Sequence, residues 1–226
     1  MTTIALLLFP NLTQLDLTGP YEVFSRCPDT TVRLVWKTMA PVVTEHGMQI
    51  LPTATFADLP QADVLCVPGG FGVNPLLNDA ETIAYVQQLA RSARFVTSVC
   101  TGALLLGAAG LLRGHKATTH WTAHPMLAEF GAIPTHARVV ADGNVITGGG
   151  VTAGIDFALT LVATVFDRRL AEAIQLGIEY NPAPPFDAGH PDVAPADIVA
   201  SMREKGAPRV AERLALVRQA VARLNA

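Results

Sequence analysis

The chain has 226 residues, half of them apolar, and a formal net charge of −3. That is enough apolar material for a substantial core in one domain spanning 1–226, while the charge balance excludes a broad basic field for nucleic acid and an acidic tail. Three cysteines at unrelated spacings form neither a disulfide framework nor a metal cluster, which suits a reducing compartment and a site with no metal and no cofactor.

The first apolar run, Ile4–Phe9, lacks a basic n-region and stops at Pro10, so it reads as a strand rather than a signal peptide or membrane span. A cytoplasmic protein with no membrane partner is the expectation. Leu15-Asp16-Leu17-Thr18-Gly19-Pro20 then leads into a helix expected from about Gly19-Pro20, with Thr18 as its cap and Glu22 in its first turn. Asp16 would stand before that helix between two leucines. A carboxyl in apolar surroundings has a raised pKa and can exchange protons near neutrality.

Strands are expected at Val32–Thr38 and Val64–Val67, followed by a helix over Glu81–Ala93. Two small hairpins, Val42–Thr44 with Gln49–Leu51 and Val139–Ala141 with Asn144–Ile146, should extend the sheet. Cys27 and Cys66 read as buried structural thiols. After the strand Val64–Val67 comes Pro68-Gly69-Gly70-Phe71-Gly72. Its glycines allow close backbone approach to a ligand, and its N–H groups at Gly70 and Phe71, joined by that of Thr101, would form an anion-stabilising hole. A phosphate loop is the competing reading of such glycines, but no Lys-Ser or Lys-Thr follows and the dinucleotide spacing is absent.

The most informative segment is Ser98-Val99-Cys100-Thr101-Gly102. A β-branched run ends at Val99 and an Ala/Leu/Gly-rich helix is expected over Thr101–Leu112, so Cys100 occupies a nucleophile elbow with small residues two positions to either side. Free N–H groups at the helix start would favour thiolate over thiol. Further on, Thr118-Thr119-His120-Trp121 offers His120 as a thiol partner and Trp121 as a pocket lining, with a hydrogen-bonded structural histidine as the alternative. His120 and His124 are four apart, but no adjacent Glu or third ligand makes them a metal site. Val145–Thr147 runs through Gly148-Gly149-Gly150 and Val151 into a helix at Ala153–Phe166; Gly150 and Val151 should form a pocket wall. Tyr180–Pro195 is Pro-rich and irregular, and Ala207–Ala226 is an amphipathic helix with Arg209, Arg213, Arg218 and Arg223 on a solvated face.

Strands without alternation, separated by helices, imply a doubly wound, flavodoxin-like α/β fold with a mostly parallel sheet and helices on both faces. Ligands then sit at the carboxyl ends of the strands, where these segments converge.

Leu15–Phe24, Pro68–Gly72, the Cys100 elbow, Thr118–Trp121 and Gly148–Leu159 resemble, in that order, the PfpI/ThiJ superfamily with its class I glutamine amidotransferase-like fold. Leu-Asp-Leu-Thr-Gly-Pro, Thr-Ser-Val-Cys-Thr-Gly and Thr-Gly-Gly-Gly-Val-Thr-Ala-Gly-Ile-Asp-Phe-Ala-Leu are similar to the isocyanide hydratase branch. The resemblance implies addition of water to a small apolar isocyanide, giving an N-substituted formamide, with Cys100 as nucleophile, Asp16 as acid–base, Thr101 shaping the site and a homodimer as the working form. No His-x-Glu occurs in the sequence, so a glutaminase triad is absent. Thr101 and Asp16 also depart from the His and Glu common at those places in the protease and chaperone branches. Two alternatives stand beside hydration. One is a ligand- or redox-sensing module similar to the N-terminal domain of AraC-type regulators, though their helix-turn-helix units would need roughly a hundred further residues. The other is glyoxalase or deglycase chemistry.

Overall fold

A computed structural model describes residues 1–226. In chain order the strands are β1 (Thr2–Leu7), β2 (Thr30–Trp36), β3 (Val42–Val43), β4 (Gln49–Ile50), β5 (Ala54–Thr55), β6 (Val64–Val67), β7 (Phe95–Val99), β8 (Lys116–Ala117), β9 (Ile133–Pro134), β10 (Val139–Asp142) and β11 (Val145–Gly148). The helices are α1 (Gln14–Phe24), α2 (Val73–Leu76), α3 (Ala80–Ser92), α4 (Gly102–Ala108), α5 (Ala153–Val165), α6 (Arg168–Gly177) and α7 (Ala196–Leu224), with a 3-10 helix at His124–Phe130.

Seven strands form one sheet in the order β10-β11-β7-β6-β1-β2-β5. It is parallel except where β10 pairs antiparallel with β11. The central strands β6 and β7 are buried nearly end to end, as expected of strands covered on both faces. One layer of helices is α1, α5 and α6, tied together by an edge-to-face contact of Phe24 with Phe157. The other layer is α3, α4 and α7. The doubly wound α/β sandwich expected from the sequence is the fold found. Chain order reverses beside β1, so the ends of β1, β6 and β7 open at a topological switch point, where such sheets bind ligands. No helix is long and apolar enough to cross a membrane.

Four local expectations need correction. Helix α1 starts at Gln14, because the bridge of Leu12 to Gly70 and the Thr13 N–H to Gly69 carbonyl bond pin the chain there. Thr18 therefore lies inside the helix and donates to Gln14 Oε1 instead of capping, and Pro20 is carried mid-helix with its ring against Gly154. The hairpin β3–β4 is a separate two-stranded sheet; only β10–β11 extends the main one. Helix α4 ends at Ala108, shortly before the left-handed Gly110. Helix α7 begins at Ala196, eleven residues before the expected Ala207, and runs through Pro208. Helix α6 was missed, although Asp167 caps it by accepting from Leu170 N–H, a signal present in the sequence.

Candidate active site

Cys100 directly follows β7 and has φ 56°, a left-handed backbone that a non-glycine residue adopts only under constraint. Its N–H donates to the Gly149 carbonyl at 2.8 Å, and its own carbonyl accepts from Thr119 Oγ1 at 2.6 Å. The small residue at position 102 has a steric reason, since a Cβ there would lie 2.1 Å from the Val67 carbonyl oxygen. Adjacent strands thus pin the elbow from both sides.

Asp16, in the first turn of α1, is fully buried at the end of β6 and beside the elbow. Its Oδ2 accepts from Gly69 N–H at 3.0 Å, while Oδ1 is sealed from solvent and has no hydrogen-bond partner. A Cβ on Gly69 would come within 2.8 Å of both Asp16 Oδ2 and Cys100 Cβ, so glycine is what lets the two meet. Burial raises the Asp16 carboxyl to about 7, against the opposing pull of the neighbouring Cys100 thiol and of the Gly69 N–H. Burial, and after it the charge of Asp16, also push the Cys100 thiol up, while the N–H groups of Thr101 and Val151 pull it down. The helix-start donors expected to favour thiolate are therefore present, but burial outweighs them. Both groups resist a second charge, so burial disfavours ionising the thiol and the carboxyl together.

Two cavities meet here. The smaller, about 190 Å³, exposes Cys100, Thr101, Gly70, Phe71, His120 and Val151 and is completed by Thr13, Thr122, Glu45 and Arg213. The larger, about 520 Å³, shares His120 and Val151 and adds Trp121, Gly150 and His136. Of the expected lining residues, Trp121 and Gly150 border this neighbouring cavity, not the one holding the thiol. His120 does not pair with Cys100; its Nδ1 shares a hydrogen bond with Thr122 Oγ1 at 2.8 Å. Burial, and then the charge of Arg213, push its pKa down. His124 opens the 3-10 helix and stacks on His136, 3.9 Å between ring centroids, so it does not share a helix face with His120.

The expected glycine-loop hole is not available. Gly69 N–H is taken by Asp16, Gly70 N–H by Thr101 Oγ1, Phe71 N–H by Glu45 Oε1 and Gly72 N–H by the Asn11 carbonyl. The loop builds the site by holding side chains in place, and the donors aimed at sulfur are those of Thr101 and Val151. Thr101 acts as a strut: its hydroxyl accepts from Gly70 N–H and donates to the Gly70 carbonyl. Cys27 and Cys66 are buried away from the cavity, and burial raises them to about 11 and 12.

Sequence reasoning missed the two ionic residues of the pocket. Glu45 reaches it from the turn between β3 and β4, bonded to Phe71 N–H and to Thr13 Oγ1 at 2.9 Å. Arg213, expected on a solvated face of α7, is buried with Nε donating to Asn74 Oδ1 at 2.7 Å. On the same face Arg223 stays exposed but bonds the carbonyls of Leu77 and Ala108. Phe71 and Val151 line the thiol cavity beside Glu45 and Arg213, and Trp121 lines its neighbour.

Fold and site define a class: a doubly wound α/β protein with a cysteine elbow at the switch point of its sheet and a buried carboxyl beside the sulfur. The model of the DJ-1/PfpI family matches residues 2–164, and the chain belongs to that family. It is 54% identical over 222 residues to the isonitrile hydratase of Pseudomonas putida, covering 98% of this chain and 97% of that one. The crystal structure of a THiJ/PfpI family protein from Pseudomonas syringae superposes with a TM-score of 0.93 at 46% identity, covering 96% of this chain and 90% of that one. The HTH-type transcriptional regulator GbdR of Pseudomonas aeruginosa is 31% identical over 180 residues, which are 76% of this chain and 49% of the regulator.

Proposed function

We propose that this chain is an isocyanide (isonitrile) hydratase, a hydro-lyase that converts R–N≡C and water to R–NH–CHO. The observation that carries the reading is the near end-to-end identity to the Pseudomonas putida isonitrile hydratase. A thiol and a carboxyl side by side suit this reaction, because the isocyanide carbon must accept a nucleophile and a proton at one atom.

In the first step the thiol proton passes to the Asp16 carboxylate, the Cys100 sulfur bonds to the terminal carbon, and Asp16 delivers that proton to the same carbon, giving a thioimidate, R–N=CH–S. Asp16, now a carboxylate, takes a proton from water as the water oxygen bonds to the carbon, and passes that proton to nitrogen. Collapse of the tetrahedral species breaks the carbon–sulfur bond and returns the remaining hydroxyl proton to Asp16. Thiolate and protonated carboxyl are restored, and the formamide leaves. No leaving amine requires protonation, so His120 needs no acid role. Thr101 holds the loop and points its N–H at the sulfur; Gly70, Phe71 and Val151 border the substrate.

The reading is tested by incubating the protein with cyclohexyl isocyanide and following N-cyclohexylformamide by NMR, with Cys100→Ala and Asp16→Asn alongside. Formamide from the wild type and none above background from either variant is expected. A wild type without turnover would shift weight to a sensing role of the kind the regulator likeness suggests, and full activity in Cys100→Ala would overturn the covalent route. We further infer a homodimer from the family resemblance; exposed Leu176 and Phe186 offer apolar surface for a second copy, and sedimentation at micromolar concentration checks it.

A further inference from the structure

Arg213 is a buried guanidinium without an ion-pair partner. Its one side-chain hydrogen bond is from Nε to Asn74 Oδ1, a residue of α2 139 positions away in the chain. The guanidinium carbon lies 5.8 Å from the centroid of the Phe71 ring, with Arg209 over that ring at 4.5 Å. The rest of the group faces the cavity that exposes Cys100. Burying a cation is costly unless an anion meets it. Glu45 lies on the same cavity wall, but both of its oxygens are already engaged, by Phe71 N–H and by Thr13.

We propose that Arg213, held by Asn74, is the electrostatic partner of the Cys100 sulfur: it stabilises the thiolate before attack and the negative charge that returns to sulfur when the product leaves. The proposal rests on the reading of Cys100 as nucleophile. The groups facing the sulfur are Asp16 from α1, Glu45 from the β3–β4 turn, His120 from the segment after β8 and Arg213 from α7. Asp16 and Glu45 oppose a charge on sulfur, and His120, kept neutral, cannot offset them. Arg213 is the one fixed positive charge in that set. Burial pushes the guanidinium below its usual range, and the charge of Cys100, followed by those of Glu45 and Glu212, pulls it back. A Cys100 charge and the Arg213 charge thus favour each other. Arg213 is a positioning residue in this account, acting on the sulfur rather than on the isocyanide.

The test is the pH dependence of Cys100 alkylation by iodoacetamide, with the label located by peptide mass spectrometry, in wild type, Arg213→Leu, Arg213→Lys and Asn74→Ala. Loss of the cation in Arg213→Leu should move the midpoint up by at least one unit, which makes labelling about tenfold slower below both midpoints. Arg213→Lys should stay within about half that displacement because it keeps the charge, and Asn74→Ala should fall between. In the hydration assay kcat should drop with little change in KM. An unmoved midpoint in folded Arg213→Leu overturns the proposal, as does a lysine variant as impaired as leucine, since packing alone would then explain the residue. Should Arg213→Leu fail to fold, an unmoved midpoint in Asn74→Ala overturns it instead. Alkylation needs no isocyanide, so its outcome stands whether or not the hydratase reading holds.

Discussion

The floor and the rim of the pocket are built by opposite means. The floor consists of Cys100, Asp16, Gly69 and Thr101, held at the ends of β6 and β7 by backbone hydrogen bonds and by glycines that admit close approach. Asp16 is fully buried and Cys100 nearly so, and burial pushes both of their pKa values up. The rim consists of Glu45, Phe71, His120 and Arg213, brought by the β3–β4 turn, a loop and α7, and it carries full charges at a cavity open to solvent. The floor owes its chemistry to backbone geometry at three segments, each marked by its own local motif. The rim adjusts that chemistry through charge, from residues far apart in the chain.

If the division is right, substitutions in the floor have the larger effects. Removing the sulfur in Cys100→Ala should lower hydration by about 10⁴-fold or more, to background, in a steady-state formamide assay. Asp16→Asn keeps the acceptor for Gly69 N–H but loses the proton, and kcat should fall by about 10²- to 10⁴-fold. Gly102→Ala drives a Cβ into the Val67 carbonyl and should cost more than about 3 kcal/mol in urea unfolding.

Asp16 also gives a pH test of its burial. Its carboxyl is near 7 in the folded chain against an ordinary 3.8, so the stability present below about pH 4 is lost as pH rises towards 7. Asp16→Asn has no charge to bury. It should match the wild type at pH 4 and exceed it by about 2–4 kcal/mol at pH 8, with the difference opening between those values. A constant difference across that range would mean that Asp16 is not a neutral acid in the fold. At the rim, Phe71→Ala leaves the pair intact, and a change of a few-fold in KM with kcat nearly preserved, about 1 kcal/mol, is expected. A kcat loss there as large as that of Asp16→Asn would erase the distinction between floor and rim.

The same division governs what was legible in the sequence. Each floor residue lies in a motif whose flanks reveal its backbone: the β-branched run before Cys100, the glycines after Val67 and the two leucines around Asp16. Parallel strand order follows from runs such as Val64–Val67 that do not alternate. The start of α1 was misread because Pro20 is a common first-turn residue, and only the Gly69–Thr13 bond places the start at Gln14. The glycine loop was expected to donate to a ligand, but Asp16, Thr101 and Glu45 take those donors, which depends on three separate segments converging. Arg213 followed a surface pattern along α7, and nothing local signals that Asn74 turns it inward.

The central claim is that Cys100 carries the substrate carbon during turnover. The most direct measurement is intact-protein mass, with peptide mapping, on samples acid-quenched during steady-state turnover of cyclohexyl isocyanide. The account predicts a population heavier by one whole isocyanide, the addition lying on Cys100 and disappearing as substrate is exhausted. Formamide production with no adduct on Cys100, together with undiminished turnover in Cys100→Ala, would contradict it.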